Sequence, residues 1–207
     1  MHLFLNTTSP YARIARIALA EKGYADIPTE VVDPWGDAPR LLEVNSAARV
    51  PTLITGDGRP LTESLLIVLW LEHQRPSPSL LVTSGADACA SGDPTAVISR
   101  AGIAMGVIDA AVHTLIGRKI TDPSFDTSPV GLRRQRSIVK GLARLEADPP
   151  TYADGTPTID AIAAVIAIDY VDFRFPQVAW LPSLPGLRQL AAQLAPRASF
   201  EASRPRS

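Results

Sequence analysis

The sequence predicts an α/β unit followed by an all-helical domain, and three observations predict it. Short apolar strand patterns alternate with helical patterns over roughly the first 80 residues. Pro, Ser, Gly and Asp are then enriched between residues 74 and 94, which is typical of a linker and a surface loop. Beyond that stretch we find only helical spacing. We therefore expect an α/β domain at residues 1–75, a linker and loop at 76–94, and a helical domain at 95–207.

The first strand and the first helix are joined by a hydroxyl-rich segment. Residues 2–5 form an apolar strand pattern, and the apolar residues after it recur at helical spacing: Tyr11, Ile14, Ala15, Ile17 and Ala18. Pro10 suits the first helical position because its φ is fixed and it has no N–H to lose, which places Ser9 at the N-cap. Gly23 is expected to end the helix, and three charged residues are expected to face away from its core side: Arg13, Arg16 and Glu21.

The rest of the first domain completes a βαβ unit, a β-hairpin and a helix. Residues 30–32 are predicted to be a second strand, and residues 39–44 a short helix after a turn. The hairpin joins residues 50–55 to Pro60-Leu61 through the tight turn Gly56-Asp57-Gly58. Residues 64–73 return to helical spacing.

Three long helices are predicted in the second domain, over residues 95–118, 130–147 and 159–171. The last is apolar almost all round, which is typical of a helix packed on every side. Thr158 is expected to cap it, but Asp160 lies one residue too early for a reciprocal capping box, so we expect a less firmly fixed start. The segment from Pro196 onward is polar and broken by proline, and is expected to lie on the surface or to fray. The basic residues of the second helix are interpreted as a solvated face: Arg133, Arg134, Arg136, Lys140 and Arg144.

The composition excludes several classes of partner and location. The 207 residues include 20 basic and 21 acidic side chains, a formal net charge of −1, so no overall field attracts nucleic acid or an anionic membrane. The N-terminus lacks the pattern of a signal peptide, and no segment approaches the ~18 apolar residues of a membrane span. Cys89 is the single cysteine and lies in a loop-like segment, so we expect neither a disulfide nor a catalytic thiol. A cytoplasmic protein that binds a small molecule is expected.

Four motifs follow one another along the chain in a recognisable order. Ser9-Pro10-Tyr11 opens the first helix, Arg49-Val50-Pro51 precedes the hairpin, and Glu63-Ser64 opens the third helix. Residues 169–176 resemble the end of the buried sixth helix in a bacterial glutathione S-transferase-like branch. Together the motifs resemble the cytosolic glutathione S-transferase family over nearly the whole chain. The resemblance implies a thioredoxin-like α/β domain followed by an α-helical bundle, a homodimer, a serine-type active site and a cytoplasmic role in detoxification.

The resemblance also implies glutathione as co-substrate and assigns residues to it. Val50, before a cis proline at Pro51, would pair its backbone N–H and C=O with the cysteinyl part of glutathione, as an added strand does. Ser64 at a helix start would bind the γ-glutamyl carboxylate, and Glu63 would pair with the ammonium group. Arg49 would meet the glycyl end. The family usually has Pro and Gly shortly before this basic residue, and residues 45–48 lack both.

The expected chemistry is attack by the thiolate of bound glutathione on a small hydrophobic electrophile. A free thiol has a pKa of about 8.5, and lowering it to about 6.5 requires about 2.7 kcal/mol. A hydrogen bond to a charged acceptor contributes about 1.5–3 kcal/mol, so one well-aimed hydroxyl suffices. Ser9 is the first candidate donor and Thr8 the second, whereas Tyr11 is expected to lie in the core or to line the hydrophobic site. Because the cysteine of other branches is replaced by Ser9, thiol transfer through a mixed disulfide is disfavoured.

The pocket for the electrophile is expected between the domains, on the long helix at residues 95–118 and beside Tyr11. Five residues share one helical spacing there: Met105, Ile108, Asp109, Val112 and His113. A lone histidine on a helix is more often a surface or core residue than an acid-base group, and this is the interpretation favoured for His113. The three histidines show no spacing typical of metal ligands, so no metal is expected.

Two other functions stay open. A glutathione-dependent peroxidase or thiol reductase would share the binding residues and act on a peroxide or a disulfide. A non-catalytic protein that binds glutathione, another ligand or a protein partner would tolerate replacement of Ser9. The identity of the electrophile cannot be predicted, because the shape of the pocket determines it.

Overall fold

The computed structural model describes residues 1–82, 93–121, 123–176 and 178–205. Those residues form two compact units, the first made of Met1–Leu80 and Ala195–Ser207, the second of Leu81–Leu194. Cys89, expected to be a non-catalytic loop residue, lies outside the described residues, as do residues 83–92 of the expected loop.

A four-stranded mixed sheet forms the centre of the first unit. Its strands are β1 (His2–Leu5), β2 (Thr29–Val31), β3 (Thr52–Ile54) and β4 (Pro60–Thr62), in the order β2-β1-β3-β4. β1 pairs parallel to β2 and antiparallel to β3, and β3 pairs antiparallel to β4. A parallel pair followed by a hairpin confirms the predicted βαβ unit and hairpin, and is the sheet of a thioredoxin-like domain.

Three helices accompany this sheet: α1 (Pro10–Glu21), α2 (Pro39–Val44) and α3 (Ser64–Gln74). α1 packs against α3 and buries the apolar residues that the spacing indicated, among them Ile14 and Ile17. The expectation that Arg13 faces away from the core is wrong, because its side chain is buried. The long aliphatic stem of arginine can pack in the interior, so a charged residue type does not by itself show that a helix side is exposed.

Within its described residues, the second unit contains helices and connecting loops and no strand. It contains α4 (Pro94–Ile120), a 3₁₀ helix at Pro123–Thr127, α5 (Pro129–Ala147), α6 (Ile159–Arg174) and α7 (Pro185–Leu194). α4 packs against both α5 and α6, and α6 is buried over nearly its whole length, as its uniform apolarity predicted. α7 was not predicted.

α4 differs from one expectation. Within the described residues it is the one helix long and apolar enough to cross a membrane, with a mean hydropathy of 1.5 over its most apolar window. This corrects the prediction that no segment reaches that level. Length and composition are weak evidence, because a core helix meets the same criterion, and α4 buries residues such as Ala104 and Ile108 inside the protein.

The start of α6 is held by an ion pair instead of a cap. Thr158 makes no side-chain cap hydrogen bond, which corrects the prediction that it caps the helix. Asp160 has no exposed surface; its Oδ2 accepts from Arg100 Nε of α4 at 2.7 Å, and its Oδ1 accepts from the Ala161 N–H at 2.9 Å. The misplaced acid of the sequence therefore fixes α6 to α4, and the expected looseness of this start is not seen.

The C-terminal segment belongs to the first unit, although the predicted division assigned residues 195–207 to the helical domain. A short helix, α8 (Ala198–Ala202), packs on α1. Glu21 of α1 accepts two hydrogen bonds from Arg197, at 3.0 and 2.6 Å, and one from Ser199 at 2.5 Å. Phe200 is buried. The described part of the segment is therefore anchored on the surface, and the alternative of fraying from Pro196 onward is wrong.

α5 meets the 3₁₀ helix at a glycine. A Cβ added at Gly131 would overlap the backbone carbonyl of Phe125, which cannot move as a flexible side chain would. We expect Gly131→Ala to lower the free energy of unfolding by about 1–2 kcal/mol, because an overpacking cost of about 1–3 kcal/mol exceeds the gain in helix propensity. Urea unfolding measures it. Gly106→Ala, in α4 with open space around its Cβ position, is the control and should be neutral or stabilising. Equal effects of both substitutions would contradict the close approach at Gly131.

Candidate active site

Three loops that carry the predicted site residues leave the sheet at one edge. The pairs Phe4↔Thr52 and Thr52↔Thr62 align the end of β1 with the start of β3 and with the end of β4. The segments next to those strand ends are residues 6–9, residues 49–51 and residues 63–64. Sheet register therefore brings together residues that lie up to 58 positions apart in sequence, since the segments span positions 6 to 64.

Asn6 organises the loop between β1 and α1. Its Oδ1 accepts from the Thr8 N–H at 3.1 Å and from the Thr8 hydroxyl at 2.9 Å, and its Nδ2 donates to the Val32 carbonyl at 3.2 Å. The Asn6 carbonyl accepts from the Ser9 N–H at 3.1 Å. This Asx turn sets where α1 begins. No role was predicted for Asn6 from the sequence, although an asparagine between a strand and a helix can indicate such a turn.

The two candidate thiol donors have different partners. The Thr8 hydroxyl hydrogen is donated to Asn6. Ser9 is the N-cap of α1, where its Oγ accepts from the Ala12 N–H at 3.2 Å. Accepting uses only a lone pair, so the Ser9 O–H hydrogen can still be donated to a ligand at the helix N-terminus. The capping role and the predicted donor role of Ser9 are therefore compatible.

The Val50–Pro51 peptide bond is cis, as the resemblance implied. Val50 is buried in a cluster with Phe4, Val32 and Leu41. It lies two residues before Thr52, where β3 begins, so its backbone is at the sheet edge and outside the β3 strand.

The segment before Val50 is held by Asn45, for which no role was predicted either. Asn45 Nδ2 donates to the Arg49 carbonyl at 3.0 Å and to the Thr52 hydroxyl at 2.9 Å, and Asn45 Oδ1 accepts from the Ala47 N–H at 3.0 Å. Ala48 adopts φ of 50°, a left-handed conformation that glycine favours. The backbone thus keeps its turn although the usual glycine and proline are missing from residues 45–48.

The start of α3 has two unusual features, the backbone conformation of Glu63 and the environment of the Ser64 hydroxyl. Glu63 adopts φ of 66°, a conformation that costs about 1–3 kcal/mol for a residue with a side chain and that clusters at ligand sites. Ser64 is 1% exposed, and its Oγ has no hydrogen-bond partner in the described residues. Arg49 Nη1 lies 3.4 Å from Glu63 Oε1, and both side chains are exposed.

The predicted pocket residues differ in exposure. Asp109 and His113 of α4 are exposed, and Tyr11, Met105 and Val112 are half-buried. His113 Nδ1 donates to the Asp109 carbonyl, its neighbour one turn earlier on α4, at 2.7 Å. Ile108 has no exposed surface in this structure. The electrophile pocket stays a prediction. Among the described residues, no cluster of His, Cys, Asp and Glu could hold a metal ion.

Comparison with known proteins shows which family this chain resembles. The sequence model described as glutathione S-transferase, N-terminal domain, matches residues 8–74. The crystal structure of a glutathione S-transferase from Methylobacterium radiotolerans JCM 2831, in complex with glutathione sulfonate, is similar over the full chain and 95% of its own length, with 32% identity and a TM-score of 0.82.

Two curated relatives extend the comparison. The uncharacterized GST-like protein YibF of Escherichia coli K12 is 28% identical, with 99% of this chain and 98% of YibF aligned. Maleylacetoacetate isomerase of Pseudomonas aeruginosa is 31% identical over 56% of this chain and 50% of the isomerase. The full-length likeness to a solved transferase at 32% identity agrees with the matched N-terminal domain: this chain belongs to the glutathione S-transferase family.

Proposed function

We propose that the protein is a glutathione transferase that conjugates the thiolate of glutathione to a small hydrophobic electrophile. The observation that carries the proposal is the buried Ser64 hydroxyl without a partner at the N-terminus of α3. A buried polar group left unsatisfied is costly, so an orphaned hydroxyl at a helix start points to a ligand that completes it. An anionic ligand suits this position because the first N–H groups and the helix dipole favour negative charge.

Glutathione fits the groups that the sheet edge brings together. The Ser64 hydroxyl and the α3 N-terminus would receive the γ-glutamyl carboxylate, and the Glu63 carboxylate would receive the adjacent ammonium group. The backbone of Val50 would pair with the cysteinyl amide groups as an added strand. Arg49, released from its exposed contact with Glu63, would pair with the glycyl carboxylate. The solved Methylobacterium relative contains a glutathione analogue, which supports this assignment.

Ser9 is the proposed donor to the thiolate. Its O–H remains available at the start of α1, whereas the Thr8 hydrogen is donated to Asn6. A hydrogen bond donated to sulfur favours the charged form and lowers the pKa of the thiol. Asn6 acts through Ser9 as a positioning residue, because its Asx turn fixes the start of α1.

Ser64→Ala separates ligand binding from stability. We expect the Kd for glutathione to rise about tenfold, because a hydrogen bond to a charged group is lost while the backbone N–H groups remain. Stability should stay the same or rise, since alanine removes a buried polar group that has no partner in the free protein. Calorimetric titration with glutathione at pH 7 and thermal unfolding without it measure the two quantities.

Ser137→Ala provides the control, because Ser137 is exposed on α5 and its hydroxyl donates to the Arg133 carbonyl of the same helix. It should change neither affinity nor stability. Loss of stability in Ser64→Ala together with unchanged glutathione affinity would show that Ser64 is a structural residue, and the proposed site would fail. Absence of glutathione binding by the wild type at millimolar concentration would refute the proposed function itself.

An isomerase-type reaction is a second candidate, favoured by the partial identity to maleylacetoacetate isomerase. The same glutathione thiolate would add to an activated double bond and leave again after rotation, so glutathione is not consumed. Product analysis distinguishes the two reactions, because conjugation adds the mass of glutathione to the product and isomerisation does not.

A homodimer and a cytoplasmic location are also proposed. Leu66 and Leu69 lie three residues apart on α3, and both are about half exposed, which suits an apolar contact with a second copy. Sedimentation analysis of wild type and Leu66→Ser/Leu69→Ser would test the dimer. We expect the variant to be monomeric at concentrations where the wild type is dimeric.

A further inference from the structure

The outer face of α5 carries a straight row of cations. Arg133, Arg136, Lys140 and Arg144 are separated by three, four and four residues and are all exposed; we name these four residues the basic stripe. With about 100° per residue, these steps keep the side chains within an arc of about 80°, and they extend over about 16 Å of helix. The buried residues of α5 lie on the opposite side: Ile138, Leu142 and Leu145.

The basic stripe has no neutralising partner within the part of the chain that the structure describes. This distinguishes it from three other arginines of the second unit that pair with carboxylates: Arg100 with Asp160, Arg118 with Asp126, and Arg188 with Asp172. The acid within α5 is Glu146, which instead accepts from the N–H groups of Gly186 and Leu187 at 2.8 and 3.0 Å. The formal net charge of −1 therefore conceals a local concentration of positive charge.

Apolar side chains stand beside the start of the basic stripe. Val130 and Leu132, in the first turn of α5, are 54% and 51% exposed. Leu132 lies one position and Val130 three positions before Arg133, and helical geometry places them on opposite sides of the stripe. Ile120, at the end of α4, is 70% exposed. Phe125 brings that end close to α5, because its ring contacts Gly117 of α4 and its carbonyl contacts Gly131.

We infer that the basic stripe and these apolar side chains form a docking surface for anionic lipid headgroups at a membrane surface. Unpaired Lys and Arg on an amphipathic helix are attracted to anionic lipid, at about 1 kcal/mol per charge. The exposed Val130, Leu132 and Ile120 can enter the headgroup region at one end of the stripe. A duplex would not favour three exposed aliphatic side chains there, and single-stranded nucleic acid is usually held by aromatic side chains, which the described outer face of α5 lacks.

Lipid binding is distinct from glutathione binding, and the inference does not rest on the proposed function. It also revises two expectations from the sequence, namely that the basic residues of α5 are only a solvated face and that the protein has no membrane partner. The net charge of the whole protein determines its attraction to a distant membrane. Once the membrane lies within about 8 Å of the basic stripe, the Debye length at physiological salt, the local row of charges determines the attraction.

Vesicle cosedimentation tests the inference on the full chain. Vesicles of phosphatidylcholine with about 40% of the anionic lipid phosphatidylglycerol are compared with vesicles of pure phosphatidylcholine at low and at physiological salt. We expect binding only to the anionic vesicles and weaker binding at higher salt. Arg136→Gln/Lys140→Gln should lower the partition coefficient about thirtyfold, about fivefold for each charge removed. Leu132→Ser should weaken binding without changing its salt dependence.

The matched control removes two exposed cations from the first unit, Arg40→Gln/Arg59→Gln, and leaves the basic stripe intact. It should bind anionic vesicles as the wild type does. The inference is overturned if the wild type does not bind anionic vesicles, if the control weakens binding as much as the stripe variant, or if pure phosphatidylcholine binds equally well. Tighter binding to duplex DNA or to polyglutamate than to the vesicles would assign the stripe to nucleic acid or to an acidic protein and would also overturn it.

Discussion

Lys22→Met is expected to lower the free energy of unfolding by about 3–5 kcal/mol, the range for removing one partner of a buried ion pair. Lys22 follows α1, and its side chain has no exposed surface. Its Nζ forms an ion pair with Glu72 Oε1 of α3 and donates to the carbonyls of Arg75 at 2.6 Å and Pro78 at 2.5 Å. Methionine fills a similar volume but leaves the carboxylate and both carbonyls without their common donor.

The partners of Lys22 are themselves fixed, so the structure cannot easily relax around the loss. Glu72 also accepts from the Leu80 N–H at 2.7 Å and from the Ser79 hydroxyl at 3.0 Å. Arg75 donates to the Lys22 carbonyl at 2.6 Å, and its guanidinium lies 4.6 Å from the centre of the Tyr24 ring. Removing Lys22 therefore affects the ends of α1 and α3 and the segment after α3 together.

Urea unfolding of three variants isolates the contribution of the ion pair. Lys140→Met replaces an exposed lysine and should change stability by less than about 0.5 kcal/mol. Lys22→Met/Glu72→Gln should recover part of the loss, because the unpaired carboxylate is then neutral. A loss below about 1 kcal/mol in Lys22→Met would contradict a tightly coupled buried network.

Local sequence patterns explain which elements could be predicted. α6 and the βαβ unit follow from uniform apolarity and from alternation, which are local properties of the sequence. α8 could not be predicted, because five residues are too few for a periodic signal and its position depends on Glu21, 176 residues from Arg197. Asp160 is a similar case: its offset from Thr158 is visible in the sequence, but its pairing with Arg100 of α4 is not.

The candidate site shows the same limit. The types and order of Ser9, Val50-Pro51 and Glu63-Ser64 are readable from the sequence. Their convergence depends on strand register, which the sequence does not state. Neither the orphaned Ser64 hydroxyl nor the supporting contacts of Asn6 and Asn45 could be derived, because each depends on the absence or presence of partners that only the folded chain supplies.

Ser9→Ala is expected to raise the pKa of the thiol of bound glutathione by about 1–2 units, because the lost hydrogen bond to the thiolate contributes about 1.5–3 kcal/mol. The sign follows from the charged state: the Ser9 O–H stabilises the thiolate, so its removal favours the neutral thiol. Conjugation rate below the thiol pKa follows the thiolate fraction, so kcat/KM at pH 6 should fall by about 10- to 100-fold, and the loss should shrink as the pH rises above the pKa of the variant. Thiolate absorbance of the bound glutathione, followed against pH, measures the pKa directly.

Two further variants separate this effect from loss of the helix cap. Ser9→Ala removes the acceptor for the Ala12 N–H and should cost about 1 kcal/mol of stability, whereas Ser9→Gly, which also lacks the hydroxyl, should cost only a few tenths. Both should raise the thiol pKa equally, because both lack the donor. Thr8→Val removes a hydroxyl that donates to Asn6 and should leave the thiol pKa close to that of the wild type. A thiol pKa that follows stability across these variants, or one that shifts in Thr8→Val and not in Ser9→Gly, would show that Ser9 only caps α1 and that another group stabilises the thiolate.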